Sequence, residues 1–161
     1  MNFNKDLFSY GTTRFEAQFV FDFNEASSSR YIYYSDYLRL YLTSAKKLRF
    51  MKRSGSTTQI DVTGSTVLDF DTKYYAKITF NTTDGYAVYL STDGETWDLE
   101  ISSTANKAAP SSSSSMYIGR STSSGYYLRG NIYLKECYIK PNDWAVWDGN
   151  PVVSNPYANI V

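Results

Sequence analysis

The stretch that decides the fold is KYYAKITFNTTDGYAVYLSTDGETWDLEI, residues 73–101. Tyr74, Ala76, Ile78 and Phe80 fall on every second residue, while Tyr75, Lys77 and Thr79 take the other face. That is the period of a half-buried strand, predicted over residues 73–82. Asp84-Gly85 follows, a turn pair whose glycine supplies the positive φ of a tight hairpin, and the chain resumes with Tyr86, Val88 and Leu90 on one face. Ser91-Thr92-Asp93-Gly94 closes that strand, since Asp93 can hydrogen-bond its own backbone and Gly94 can sit left-handed; Trp97, Leu99 and Ile101 begin another. Three strands joined by two Asp-Gly turns make an antiparallel meander.

Upstream, residues 14–23 (RFEAQFVFDF) set Phe15, Ala17, Phe19, Phe21 and Phe23 on one face against Glu16, Gln18, Val20 and Asp22. At about 25 cal/mol per Å² of apolar area, burying that row contributes several kcal/mol, so it points into a core. Residues 24–30 are a polar, serine-rich loop. In residues 31–42 (YIYYSDYLRLYL) the second half alternates, with Leu38, Leu40 and Leu42 inward and Tyr37, Arg39 and Tyr41 outward. Lys47, Arg49 and Met51 oppose Leu48 and Phe50 on the next strand, and Gly55 and Gly64 bracket a further one over residues 57–62. Residues 102–115, with five consecutive serines at the end, read as an exposed loop, because strand-like sequence resumes at Met116-Tyr117-Ile118-Gly119.

Residues 125–140 form the last long strand region. Ile132 and Leu134 share parity but Cys137 and Ile139 do not, so a β-bulge near Lys135-Glu136 is predicted to bring all four inward. Pro141-Asn142 then turns the chain toward Trp144 and Trp147. Residues 1–11 show no clear period and read as a lead-in covering one end of a sandwich. No 3.6-residue stripe is long enough for a substantial helix.

These residues carry a family resemblance. An aromatic strand, a polar turn and a strand ending in Ser91-x-Asp93-Gly94-x-x-Trp97, with Gly130 to Lys140 (GNIYLKECYIK) much later and a Trp soon after, resemble the concanavalin A-like lectin/glucanase or laminin G-like jelly rolls. The resemblance extends over residues 15–149. Such domains occur as accessory domains of phage tail and virion proteins and of bacterial surface proteins. The expected fold is all-β, a two-sheet antiparallel β-sandwich (jelly roll), with residues 1–161 as one domain and its core at about residues 14–149.

Composition narrows the function. Lysine and arginine equal aspartate and glutamate at 16 each, so no global field attracts nucleic acid or an anionic membrane. The local basic cluster at Lys46, Lys47, Arg49, Lys52 and Arg53 is explained by a solvated strand face. With no histidine, Ser-His-Asp or Cys-His catalysis and histidine-ligated zinc are excluded. The resemblance to glucanases implies two glutamates on one strand in an E-x-D-x-(x)-E pattern; only Asp93-x-Glu95 and Asp98-x-Glu100 approach it, so a non-enzymatic protein is expected. The single cysteine, Cys137, makes no internal disulfide and reads as a small buried hydrophobe. Its solitude fits assembly in a reducing cytoplasm, as for a virion protein, and also a disulfide-free bacterial surface module. The start, MNFNKDLFSYG, lacks a signal-peptide pattern, and no stretch approaches the ~20 apolar residues of a spanning helix, so a soluble chain without membrane insertion is expected.

Tyrosine, at 16 residues, and total aromatics at 17% suit aromatic strand faces, and equally surfaces that bind sugar rings. A sugar site needs an exposed ring plus hydrogen-bonding groups. Tyr37, Arg39 and Tyr41 supply both, with Tyr75, Lys77 and Tyr89 extending the platform on nearby strands; the serine-rich loops at a sandwich end are the other location. Covering of the same face by a neighbouring chain is the alternative. No cofactor is required, though the resemblance implies a calcium near one rim, with Asp69, Asp71, Asp84 and Asp93 as candidates. The expected function is a non-catalytic carbohydrate-binding module for cell-surface or polymeric glycan, in a phage virion or at a bacterial surface or secreted. The alternative is a structural virion or tail decoration that contacts other chains and binds no sugar.

Overall fold

The phenylalanine row organises the core. In the computed structural model, which describes residues 13–110, 116–122, 125–141 and 158–160, Phe15, Phe19, Phe21 and Phe23 are all at most 4% exposed. The first four occupied strands are β1 (Arg14–Phe21), β2 (Arg30–Ser35), β3 (Leu38–Leu42) and β4 (Leu48–Ser54). Then come β5 (Thr57–Thr63), β6 (Tyr74–Asn81), β7 (Gly85–Ser91), β8 (Asp98–Ser103) and β9 (Met116–Ile118). The chain closes with β10 (Gly130–Ile132), a 3-10 turn (Leu134–Glu136), β11 (Tyr138–Pro141) and β12 (Ala158–Ile160).

Two sheets form a sandwich. One holds seven strands in the order β12-β10-β1-β6-β7-β8, with β11 also paired to β1; the other holds five in the order β5-β4-β3-β2-β9. Pairing is antiparallel except between β10 and β12. The inner faces meet ring to ring: Phe19 stacks on Tyr33 at 4.9 Å and Phe50 lies 5.6 Å from Tyr86. Across one open edge, Glu100 of β8 accepts hydrogen bonds from the Thr66 backbone N–H and hydroxyl at 2.8 and 2.7 Å, tying the segment after β5 to the other sheet.

The central meander is β6-β7-β8, as its alternation predicts, and β6 differs from the expected bounds by one residue at each end. The last strand region differs more. No β-bulge sits at Lys135-Glu136; the 3-10 turn there splits the region into β10 and β11, which pair in succession with β1. The turn achieves the packing the bulge was expected to achieve, since Ile132, Leu134, Cys137 and Ile139 are all at most 3% exposed. A 3-10 turn folds tightly enough to drop Leu134 inward and cover Val20 from outside: the Tyr133 N–H donates to the Val20 carbonyl at 2.9 Å and the Val20 N–H to Cys137 Sγ at 3.2 Å. Val20 and Asp22, placed outward by parity, are therefore buried. The expected lead-in at 1–11, the five serines, and Trp144 and Trp147 lie outside the described residues. No helix among the described residues is long and apolar enough to cross a membrane.

Candidate functional site

The outer face of the five-stranded sheet is tiled with tyrosine and arginine. Leu38, Leu40 and Leu42 point inward, which turns Arg39 and Tyr41 outward. On β2 the register shifts between Tyr31 and Tyr33, leaving Ile32 as an extra residue: Tyr31 opposes Tyr41 and Tyr34 opposes Arg39. Ile32 and Tyr33 are both buried, and Tyr31 and Tyr34, of opposite parity, share the outer face. Two cross-strand rows result. One reads Tyr31, Tyr41, Arg49, Thr63; the other Tyr117, Tyr34, Arg39, Met51, Asp61. At ~4.8 Å per strand the second row runs roughly 19 Å.

The two rows differ in how far they are satisfied. Tyr41 is only 4% exposed: the Tyr31 ring lies 4.9 Å away and the Arg49 guanidinium 5.8 Å from its centroid. Burial, opposed by Arg49, raises its hydroxyl pKa. Arg49 is in turn neutralised by Asp61 through two 2.6 Å hydrogen bonds. In the other row Arg39 sits 4.7 Å from the Tyr34 centroid and donates to the Tyr34 hydroxyl at 3.2 Å. Tyr117 lies 6.2 Å from Tyr34, and Arg120 covers Tyr117 at 4.9 Å and Tyr127 at 5.7 Å. Among the described residues neither Arg39 nor Arg120 has a carboxylate within 4.0 Å. Two guanidiniums without a carboxylate partner among the described residues thus flank a pair of tyrosine rings.

The expected platform is not one surface. Tyr37 lies in the turn between β2 and β3, where its carbonyl accepts the Arg53 N–H at 2.7 Å, because Asp36-Tyr37 reverses the chain instead of extending the strand. Tyr41 is on the correct face but beneath its neighbours. Tyr75, Lys77 and Tyr89 belong to β6 and β7, so they face outward from the other sheet, across the core from Arg39, and do not extend its surface. There the Lys77 ammonium lies 3.8 Å from the Trp97 ring centroid. The Tyr75 hydroxyl donates to Glu136 at 2.9 Å beside the Lys73–Glu136 ion pair at 2.7 Å. Burial opposes ionisation of Glu136, but hydrogen bonds from Lys73 and Tyr75 outweigh it and hold the carboxyl below its ordinary range. Tyr75 is thus engaged in holding the 3-10 turn. Tyr34, Tyr117 and Arg120 are what sequence reasoning missed; Tyr117 had a signal, standing between inward Met116 and Ile118, but its pairing partner had none.

Two of the acidic candidates, Asp93 and Asp84, are engaged in hydrogen bonds within their own turns. Asp93 accepts hydrogen bonds from the Glu95 and Thr96 N–H groups and the Ser91 hydroxyl, each at 2.8 Å, and the backbone bonds from Thr96 and Glu95 hold its carboxyl far below the ordinary range. Asp84 accepts from Asn81 at 2.9 Å in the β6–β7 turn, at the far end of β6 from Asp69 and Asp71. Among the described residues no group of three or more acidic, cysteine or histidine side chains is placed to hold a metal ion. Burial pushes the Cys137 thiol up to about 12.

The sequence matches no known family profile and no curated protein. Solved structures do share the fold. A candidate carbohydrate binding protein from Bacteroides ovatus superposes with a TM-score of 0.59 at 14% identity, over 83% of this chain and 38% of that one. Domains LG4-5 of the mouse laminin α1 chain superpose with a TM-score of 0.55 at 16% identity, over 92% of this chain and 40% of theirs. The binding domain of botulinum neurotoxin DC, in complex with rat synaptotagmin II, gives 0.50 at 14% identity, over 68% and 28%. The chain thus spans well under half the length of each. The fold is a concanavalin A-like, laminin G-like jelly roll.

Proposed function

We propose that this chain is a single, non-catalytic glycan-binding module that holds polymeric, acidic carbohydrate on the outer face of its five-stranded sheet. The observation that carries this is the Tyr34–Tyr117 ring pair, flanked by Arg39 in the same row and by Arg120 just beyond it, both without carboxylate partners among the described residues. Tyrosine rings offer flat apolar surface and a hydroxyl to a sugar, and each guanidinium offers a planar fork to a carboxylate or sulfate. The row is long enough for several sugar residues. The likeness to a candidate carbohydrate binding protein supports the class, and a surface setting, on a phage virion or a bacterial cell, suits a module that grips a polymer without cutting it.

The test is binding to immobilised polysaccharides, uronate polymers against neutral glucans, with and without calcium. Parent protein should be retained by the uronate polymer, and Arg39→Ala and Arg120→Ala should each weaken retention about tenfold, or about 1.4 kcal/mol for a charged contact. Arg49→Ala should weaken it less, because Asp61 already neutralises that guanidinium. Equal retention of all three variants would reject this face as the site.

A second reading is structural decoration through protein contacts. Its specific support is Leu99, 58% exposed on β8, an edge strand, beside Trp97.

A further inference from the structure

A second concave feature lies at one end of the sandwich, away from the arginine–tyrosine row. Three connections converge there: residues 22–29 between β1 and β2, 43–47 between β3 and β4, and 64–73 between β5 and β6. They border an open, shallow pocket of about 460 Å³ lined by Asn24, Glu25, Ser27, Ser44, Lys46 and Phe70, among others. This lies within the size range of small-ligand sites, roughly 300–1,000 Å³.

The loops are braced against one another. The Leu68 N–H donates to the Lys46 carbonyl at 2.9 Å, and the Asp71 N–H to the Phe23 carbonyl at 2.9 Å. Lys46 and Asp71 adopt left-handed backbone at φ 58° and 55°, the two non-glycine residues to do so among those described. A side chain in that region costs free energy that surrounding structure must hold in place, and such positions gather at functional sites.

The lining groups have unused capacity of a definite kind. The Phe70 ring is seated edge-on against buried Phe23 at 5.3 Å, yet stays 45% exposed. The Lys46 ammonium lies 4.9 Å from that ring's centroid and has no hydrogen-bond or ion-pair partner among the described residues. Glu25 is clamped: Arg30, itself 4% exposed, and Ser27 both donate to Oε1, and Arg129 Nε reaches Oε2 at 3.0 Å. A carboxylate accepts about four hydrogen bonds, so Oε2 retains an acceptor direction on a fixed oxygen.

We infer that this rim pocket is a second sugar site, taking one uncharged terminal pyranose. A pyranose presents C–H groups to an exposed ring and hydroxyls that both donate and accept. Those match a fixed acceptor at Glu25 and donors at Lys46, Asn24 and Ser44 within one pocket. An anion would answer the lysine but leave the glutamate acceptor facing charge. Occupancy here is independent of the Arg39–Arg120 row, so the module grips a polymer along its sheet and a chain end at its rim.

The test is a ¹H–¹⁵N NMR titration of the full chain with the methyl pyranosides of glucose, galactose, mannose and N-acetylglucosamine at millimolar concentrations. At least one should give saturable shifts of the Ser44, Lys46 and Phe70 amides. Phe70→Leu keeps an apolar group on Phe23 but removes the flat ring, and should weaken binding about tenfold or more. Lys46→Gly suits the left-handed backbone, so it should weaken binding without loss of thermal stability. Arg39→Ala should leave these shifts unchanged. Absence of saturable shifts with all four sugars, or equal affinity in Phe70→Leu, overturns the rim site whatever the polysaccharide result; failure of the parent protein to be retained by the uronate polymer, with its rim shifts intact, overturns only the sheet-face site.

Discussion

Tyr41 shows how much a single side chain's position depends on its neighbours. Its parity places it outward, and a bulge one strand away brings Tyr31 across it, so it acts as a foundation for the aromatic surface and contacts no solvent-borne ligand directly. Cys137 is the opposite case, where parity misleads but chemistry does not: a small, weakly polar thiol goes inside, by way of the 3-10 turn. Its thiol, pushed by burial from an ordinary 9.0 to about 12, favours the neutral form in the folded chain. The sign follows: this contribution to stability is complete below about pH 9, the unfolded value, and is lost as pH rises from there toward about pH 12. Cys137→Ala should therefore lose less stability than the parent over that window in urea melts. A thiolate-directed reagent near pH 8 should label Cys137 only after unfolding, and stoichiometric labelling of the folded chain would contradict its burial.

At the scale of elements, irregularities decide what the faces carry. The extra residue Ile32 in β2 sets Tyr34 beside Arg39, and a register shift between Val88 and Tyr89 leaves Glu100 unpaired, with Leu99 outward and Ile101 inward. The hairpin turn between β6 and β7 has no such freedom. Gly85 sits at φ 82°, and a Cβ there would stand 2.4 Å from the Ser103 carbonyl oxygen of the paired strand. Backbone in a three-stranded ladder cannot give way as a flexible side chain can. Gly85→Ala should cost more than about 1 kcal/mol, read as a lowered urea midpoint with an unchanged slope. A variant as stable as the parent would show the turn to be adaptable.

Across the whole molecule, the sandwich separates two aromatic faces that lie near one another in sequence. Because Tyr75, Lys77 and Tyr89 look out from the seven-stranded sheet, Lys77→Ala and Tyr89→Ala should leave uronate-polymer retention within about twofold of the parent, whereas Arg39→Ala and Arg120→Ala should not. Equal losses from both sets would mean that the polymer wraps both faces. The formal net charge is zero, yet Arg39 and Arg120 stand on either side of the Tyr34–Tyr117 pair without acidic partners among the described residues. Retention should accordingly fall as salt is raised, since these half-buried charges reach the surface and act there over about 10 Å or less at moderate ionic strength.

The sequence by itself determined the strands and their inward faces: the phenylalanine row of β1, the leucines of β3 and the meander on its two Asp-Gly turns. Each follows from local rules, a period of two and the backbone freedom of glycine, which neighbouring residues state in full. Tertiary structure alone decided which outward residues meet. Register between strands distant in the chain, the bulge at Ile32 and the pairing of Tyr117 with Tyr34 are set by how the two sheets fill the space between them. That is a property of total side-chain volume across the core, and no single stretch of the chain contains it.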